Sequence, residues 1–122
     1  MQLLCERSDE EGHFTGLGLI PGHVRHLSQR GAMRVPHIGW NNIQYNSHST
    51  LLQGIPDGTD FYFVHSYFVD CDAGYRLANV DYAGGVAAII NHGNIYGAQF
   101  HPEKSQQMGI KLLKNFLELP PC

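Results

Sequence analysis

Two residues near the end of the chain could do acid–base chemistry together. His101 and Glu103 flank Pro102, directly after the run Ile95 to Phe100. In an extended segment, side chains two apart point to the same side, so the carboxylate can meet the imidazole Nδ1. Pro102 fixes its own φ and biases His101 toward extended backbone. A carboxylate behind a histidine selects its tautomer and stabilises the imidazolium that forms when the ring takes a proton. Open α/β sheets place their sites at the carboxyl ends of strands, and the pair stands at such a place. It amounts to two-thirds of a nucleophilic triad. The same tripeptide is also compatible with a solvated turn in which the two residues meet by chance.

A triad needs a nucleophile, and the three cysteines are poor ones. Cys5 sits in an apolar segment with no glycine pattern around it. Cys71 lies between Asp70 and Asp72, and acidic neighbours disfavour a thiolate. Cys122 is the last residue. Their number and wide spacing form neither a C-x-x-C pair nor a disulfide framework, and a reducing cytoplasm is the simplest setting. Eight histidines raise the question of a metal. Only His23 and His26 are closely spaced, without the glutamate and helix of an H-E-x-x-H site, and no metal site is expected.

The elements that must position His101 and Glu103 emerge from punctuation and periodicity. Met1 to Ser8 reads as a short helix without a cap. Gly16 to Gly22 is a Gly/Pro-rich loop, and Val24 to Leu27 a short strand. Val35 to Asn42 is a strand end or ordered loop, with Pro36 arguing against a central strand. The clearest strand is Phe61 to Val69, aromatic and β-branched. Gly85 to Ile90 and Ile95 to Phe100 form a hairpin around Asn91-His92-Gly93-Asn94. Ser105 to Leu117 forms the best helix, with Ser105 as cap and Met108, Leu112, Leu113, Phe116 and Leu117 at helical spacing. Pro120-Pro121 ends it.

Composition sets the outer limits. With 122 residues, 43% hydrophobic and 16% charged, the chain reads as one globular domain with a modest core and no disorder signature. Its formal charge of −3 and lack of a basic run argue against nucleic acid. No apolar stretch approaches the roughly 20 residues that cross a bilayer. Met1 to Glu11 does not read as a signal peptide.

The run Tyr96 to Ser105, with Gln99-Phe100-His101-Pro102-Glu103-Lys104-Ser105 at its centre, resembles the His-Glu segment of class I glutamine amidotransferases. Three more stretches narrow the likeness to the glutaminase subunits of imidazole glycerol phosphate synthase. They are Gly16-Leu17-Gly18-Leu19-Ile20-Pro21-Gly22, Val35-Pro36-His37-Ile38-Gly39-Trp40-Asn41 and Phe61-Tyr62-Phe63-Val64-His65-Ser66-Tyr67. The terminal helix, with Gly109, Leu112, Leu113 and Asn115-Phe116-Leu117, also fits. The resemblance implies an α/β fold, the C-terminal part of a doubly wound sandwich with a β-hairpin and a closing helix.

The resemblance also implies a chemistry. A cysteine thiolate attacks the glutamine amide, His101 serves as general base and acid, and Glu103 orients it. Gln2, Ser66 and Tyr67 match positions that hold the substrate glutamine. His37, Trp40, Tyr62 and Lys104 match positions that meet a cyclase partner and gate ammonia. No cofactor is implied. The family's nucleophile lies in G-x-C-x-G-M-Q, and Met1-Gln2-Leu3-Leu4 match the end of that motif and the residues after it. The nucleophile is therefore expected just before Met1, and the chain alone is expected to hydrolyse no glutamine.

Two other readings stay open at this point. One is a non-catalytic module docking on the cyclase, and the other is a glutaminase of a sibling biosynthetic pathway. A chain holding only the later strands would expose sheet edges that invite pairing with another chain. Self-association or completion by a separate piece is the expected result. Analytical ultracentrifugation checks it, and a compact, stable monomer is the contrary outcome.

Overall fold

The computed structural model describes residues 1–120; Pro121 and Cys122, the second of the helix-ending prolines and the third cysteine, lie outside the described residues. Among the described residues, nine strands and one α-helix make a mixed α/β structure with two sheets. The strands are β1 (Cys5–Ser8), β2 (Phe14–Thr15), β3 (Ile20–His26), β4 (His37–Gln44), β5 (Asp60–His65), β6 (Tyr67–Asp70), β7 (Arg76–Val80), β8 (Val86–His92) and β9 (Ile95–Ala98). Helix α1 spans Gln106–Leu117. The four-stranded sheet has the order β2-β1-β3-β6 and the five-stranded sheet β5-β4-β7-β8-β9. Only the β1–β3 pair is parallel among the described strands.

The N-terminal segment departs from the expected helix. Gln2–Leu4 forms a single 3-10 turn and Cys5–Ser8 continues as strand β1. An uncapped helix of eight residues is marginal in water, and a better set of backbone partners lies close by. The amides of Gly16, Leu17, Gly18 and Leu19 donate to the carbonyls of Glu6, Leu3, Cys5 and Leu4. Gly16 is essential to that approach, because a Cβ there would fall 2.1 Å from the Cys5 carbonyl oxygen. Strand pairing therefore wins, and it buries Cys5 completely.

The aromatic run also departs from expectation. It is two strands in two sheets, with the change at Ser66. The Ser66 carbonyl accepts from the Leu27 amide at 2.9 Å, and His65 Nδ1 donates to the Tyr67 carbonyl at 2.7 Å. Pro36 ends just where β4 begins, so its missing N–H stays out of the ladder while β4 lies between β5 and β7. The hairpin forms with a tighter loop than expected, only Gly93 and Asn94, and Gly93 supplies the positive φ of +61°.

Two apolar clusters fill the interior. Phe61, Phe63, Phe68, Ile43, Ile89, Phe100 and Leu112 belong to the larger. Cys5, Ile20, Val24, Val69 and Ile90 belong to the smaller. Strand β8 contributes to both, Val86, Ala88 and Ile89 to one and Ala87 and Ile90 to the other. That is why Val86 to Ile90 reads as an unbroken apolar run rather than an alternating one.

Helix α1 buries Gly109, Leu112 and Asn115. The expected apolar stripe is displaced, because Leu113, Phe116 and Leu117 are exposed. Asn115 takes an inward place by donating both amide hydrogens, to the Leu51 and Gln53 carbonyls at 2.8 Å each. Among the described residues no helix is long and apolar enough to cross a membrane.

Candidate active site

The 3-10 turn Pro102–Lys104 comes after β9 and leads straight into α1. His101, extended as expected before Pro102, precedes this turn, and its Nδ1 meets Glu103 Oε1 at 2.7 Å; Glu103 reaches it from the 3-10 turn rather than from extended backbone. The carboxylate accepts the Nδ1 hydrogen, so Nε2 is the nitrogen left for proton transfer. Both side chains are partly open to solvent, 39% and 58% exposed. The Glu103 carboxyl is held below its usual range, first by its own backbone N–H and then by His101 and Lys104.

Three backbone anchors fix this turn. The His101 amide donates to the Tyr62 carbonyl at 2.9 Å. Ser105 Oγ donates to the His101 carbonyl at 2.6 Å and accepts from the Tyr62 amide at 3.0 Å. Ser105 therefore does not cap α1 with its side chain, as the sequence suggested. Its hydroxyl ties the histidine turn to β5. Gly109 is the third anchor: a Cβ there would lie 1.9 Å from the Pro102 carbonyl oxygen. Gly109→Ala is expected to lower stability by about 1–3 kcal/mol through overpacking, against a helix-propensity gain of at most about 1 kcal/mol. Thermal unfolding checks it, and a raised Tm would contradict the contact.

Gln2, Ser66, Tyr67 and His101 line one open cleft of about 420 Å³, together with His65 and Gln99. Gln2 Nε2 donates to the Tyr67 carbonyl at 3.1 Å and to Gln99 Oε1 at 3.0 Å. Four sequence candidates thus converge although they come from positions 2 to 101. A larger hollow, about 850 Å³, runs along Tyr45 to Pro56 and holds none of them.

The four positions assigned to a partner surface divide. Trp40 and Tyr62 are cross-strand partners on β4 and β5, edge to face at 5.9 Å, with Trp40 49% exposed. Lys104 is exposed on the histidine turn. His37 is buried instead, stacked on Tyr82 at 3.9 Å and bonded to His65 at 2.9 Å.

His65 and Gln99 were not singled out from the sequence. A signal for His65 was available: it shares the inward parity of Phe61 and Phe63 on β5, and a buried ring there must find partners. Gln99 belongs to the same run as His101 and Glu103, with no spacing signal to mark it. Both described cysteines, Cys5 and Cys71, are buried free thiols. Burial, aided by Cys71, pushes the Cys5 thiol up to about 11. Burial is also the leading cause for Cys71, with Arg76 opposing and Asp70 and Asp72 adding. Among the described residues no three His, Cys, Asp or Glu side chains converge as a metal site.

Comparison with known proteins shows the family of the chain. The profile of the family described as glutamine amidotransferase class-I matches residues 1–119. The chain is 49% identical over 119 residues to "Imidazole glycerol phosphate synthase subunit HisH" of Listeria monocytogenes serotype 4b (strain CLIP80459), covering 98% of this chain and 57% of that protein. It is 45% identical over 120 residues to the protein of that name from Moorella thermoacetica, covering 98% and 56%. It is 43% identical over 118 residues to "Imidazole glycerol phosphate synthase subunit HisH 2" of Vibrio vulnificus, covering 97% and 55%. The chain thus spans little more than half the length of these relatives. With the profile matched over nearly all of its residues, the chain belongs to the class-I glutamine amidotransferase family.

Proposed function

We propose that this chain forms the histidine–glutamate half of a glutaminase site, supplying ammonia from glutamine to a cyclase that makes imidazole glycerol phosphate in histidine biosynthesis. The observation that carries the reading is the 2.7 Å bond from His101 to Glu103 at the rim of the cleft shared by Gln2, Ser66 and Tyr67. The family match and the relatives' names support the same assignment.

In this reading a cysteine thiol from outside these residues gives its proton to His101 Nε2. The thiolate attacks the side-chain amide carbon of glutamine. The imidazolium, steadied by Glu103, returns the proton to the leaving amine. The C–N bond breaks, ammonia departs and a glutamyl thioester is left on the cysteine; water then hydrolyses it to glutamate and the free thiol. Gln2 and the Ser66–Tyr67 corner hold the substrate.

Exposed Trp40, half-buried Tyr62 beside it and exposed Lys104 form the face toward the cyclase, in a heterodimer working in the cytoplasm. His37 is buried and contributes there only through its neighbours. A protected route to the partner suits the chemistry, since free ammonia in water at neutral pH is protonated and lost as a nucleophile.

The test is steady-state glutamate release by a protein that joins this chain to a nucleophile-bearing segment of the family, with the cyclase present. Turnover is expected. Docking on the cyclase with no glutamate release would replace the reading with that of a non-catalytic interaction module.

A further inference from the structure

We propose that His65 is a positioning residue for glutamine: backed by His37 and Asn41, its ring fixes the Tyr67 carbonyl and so sets the Ser66–Tyr67 corner and Gln2 beside His101. The proposal rests on the glutaminase reading above and assigns a role within that same site.

The corner needs something to hold it. At Ser66 the chain leaves the five-stranded sheet and enters the four-stranded one. No glycine or proline shapes the change; the residues are His65, Ser66 and Tyr67. The His65 ring closes it by reaching two residues ahead to the Tyr67 carbonyl, at 2.7 Å.

The hydrogen bonds behind that contact have one consistent direction. A carbonyl can only accept, so His65 Nδ1 carries the hydrogen. In the neutral ring Nε2 is then an acceptor. It receives the hydrogen of His37 Nδ1 across 2.9 Å. His37 Nε2 in turn accepts from Asn41 Nδ2 at 3.2 Å. The Asn41 amide is oriented independently, because its Oδ1 accepts from the Asn42 amide at 2.9 Å. A donor series therefore runs from Asn41 through His37 and His65 to Tyr67. One added proton would break it, since reversing the histidine–histidine bond leaves His37 Nε2–H facing the Asn41 N–H.

The surroundings keep both rings neutral. Burial is the leading cause that lowers His65, only partly opposed by the Tyr67 carbonyl, and burial with His65 beside it lowers His37 to about 4. Phe63 and Tyr82 stack against His37, and Glu10 and His101 share the cleft that His65 lines.

The far end of the series touches the substrate candidates. Tyr67's carbonyl accepts from both His65 and Gln2, and Gln2 spends its other amide hydrogen on Gln99. Without the His65 donor the carbonyl is free to turn, and Gln2 loses the fixed acceptor that orients it. Two of the three groups assigned to glutamine then drift together.

The experiment has two arms. In the full chain with ¹⁵N-labelled histidines, long-range ¹H–¹⁵N spectra at neutral pH are expected to show His65 protonated at Nδ1 and bare at Nε2. A His65 that is charged, or protonated at Nε2, overturns the proposal. In the joined protein, His65→Leu is expected to raise KM for glutamine by about tenfold, the worth of one hydrogen bond, with a smaller change in kcat. His65→Asn places an amide nitrogen where Nδ1 lies and is expected to recover most of that loss.

Both variants lose the bond to His37, so a merely structural role would impair them alike. Equal KM values for the two would overturn the positioning role. Absence of turnover in the parent protein would instead overturn the glutaminase reading and the substrate half of this proposal. The tautomer spectrum decides the bond to Tyr67 in either case.

Discussion

Replacing His101 with alanine is expected to lower glutamine hydrolysis by roughly 10²–10⁴-fold, the usual worth of a positioned general acid and base. The effect should fall on kcat. In the proposed mechanism His101 Nε2 handles a proton in both the attack and the departure of ammonia, and no other ring among the cleft residues can take over. His65 lines the same cleft, but its Nδ1 is committed to Tyr67 and its Nε2 to His37. The fold should tolerate the change, because the His101 side chain is 39% exposed and its backbone anchors do not involve the ring. Glu103→Gln should cost far less, roughly tenfold or under, since an exposed carboxylate is screened by water. Steady-state glutamate release by the joined protein measures both. Undiminished activity in His101→Ala would sink the triad assignment.

The geometry behind that prediction is local, which is why it could be read in advance. His101 and Glu103 are two apart and Pro102 restricts the backbone between them, so the two meet, although a 3-10 turn rather than the expected extended backbone brings them together. The β8–β9 hairpin was legible for the same reason, through Gly93 and its flanking apolar runs. The features that escaped depend on partners far along the chain. Met1 to Ser8 carries a helical pattern, yet Gly16 to Leu19 supply the hydrogen bonds that turn Cys5–Ser8 into a strand. Nothing in Phe61 to Val69 marks a break, because the Ser66 corner is held by Leu27 and by a histidine ring rather than by a turn residue.

Ser105 illustrates a subtler limit. Its position before α1 is what a capping residue would occupy, and the helix does begin there. Its hydroxyl is drawn instead to His101 and Tyr62, 4 and 43 residues away. Local propensity located the helix start, while tertiary contacts decided what the side chain does. His37 obeys the same logic. The resemblance puts it among positions that meet a cyclase and gate ammonia; in the fold the rings of Phe63 and Tyr82 stack on it and its ring nitrogens bond to His65 and Asn41.

Phe61→Ala is expected to cost about 3–5 kcal/mol, the range for emptying a buried phenylalanine site. Phe61 is fully buried on β5 and stacks on Phe100 at 4.2 Å, with Phe63 edge-on to Phe100 at 5.6 Å. A domain holds only about 5–15 kcal/mol in all, so the loss should move the urea midpoint by roughly 2 M. Trp40→Ala, on the neighbouring strand but half exposed, should shift it by much less. Urea unfolding followed by circular dichroism compares the two, and equal shifts would refute the placement of the core. The same contact also reaches the site. Phe100 immediately precedes His101, and β5 holds the His101 amide through the Tyr62 carbonyl. A cavity at Phe61 therefore loosens Phe100 and the Tyr62 carbonyl, one on each side of the histidine turn's start, at once. In the joined protein, Phe61→Ala should reduce turnover even under conditions where it remains folded, whereas Phe61→Leu, which keeps most of the volume, should preserve it.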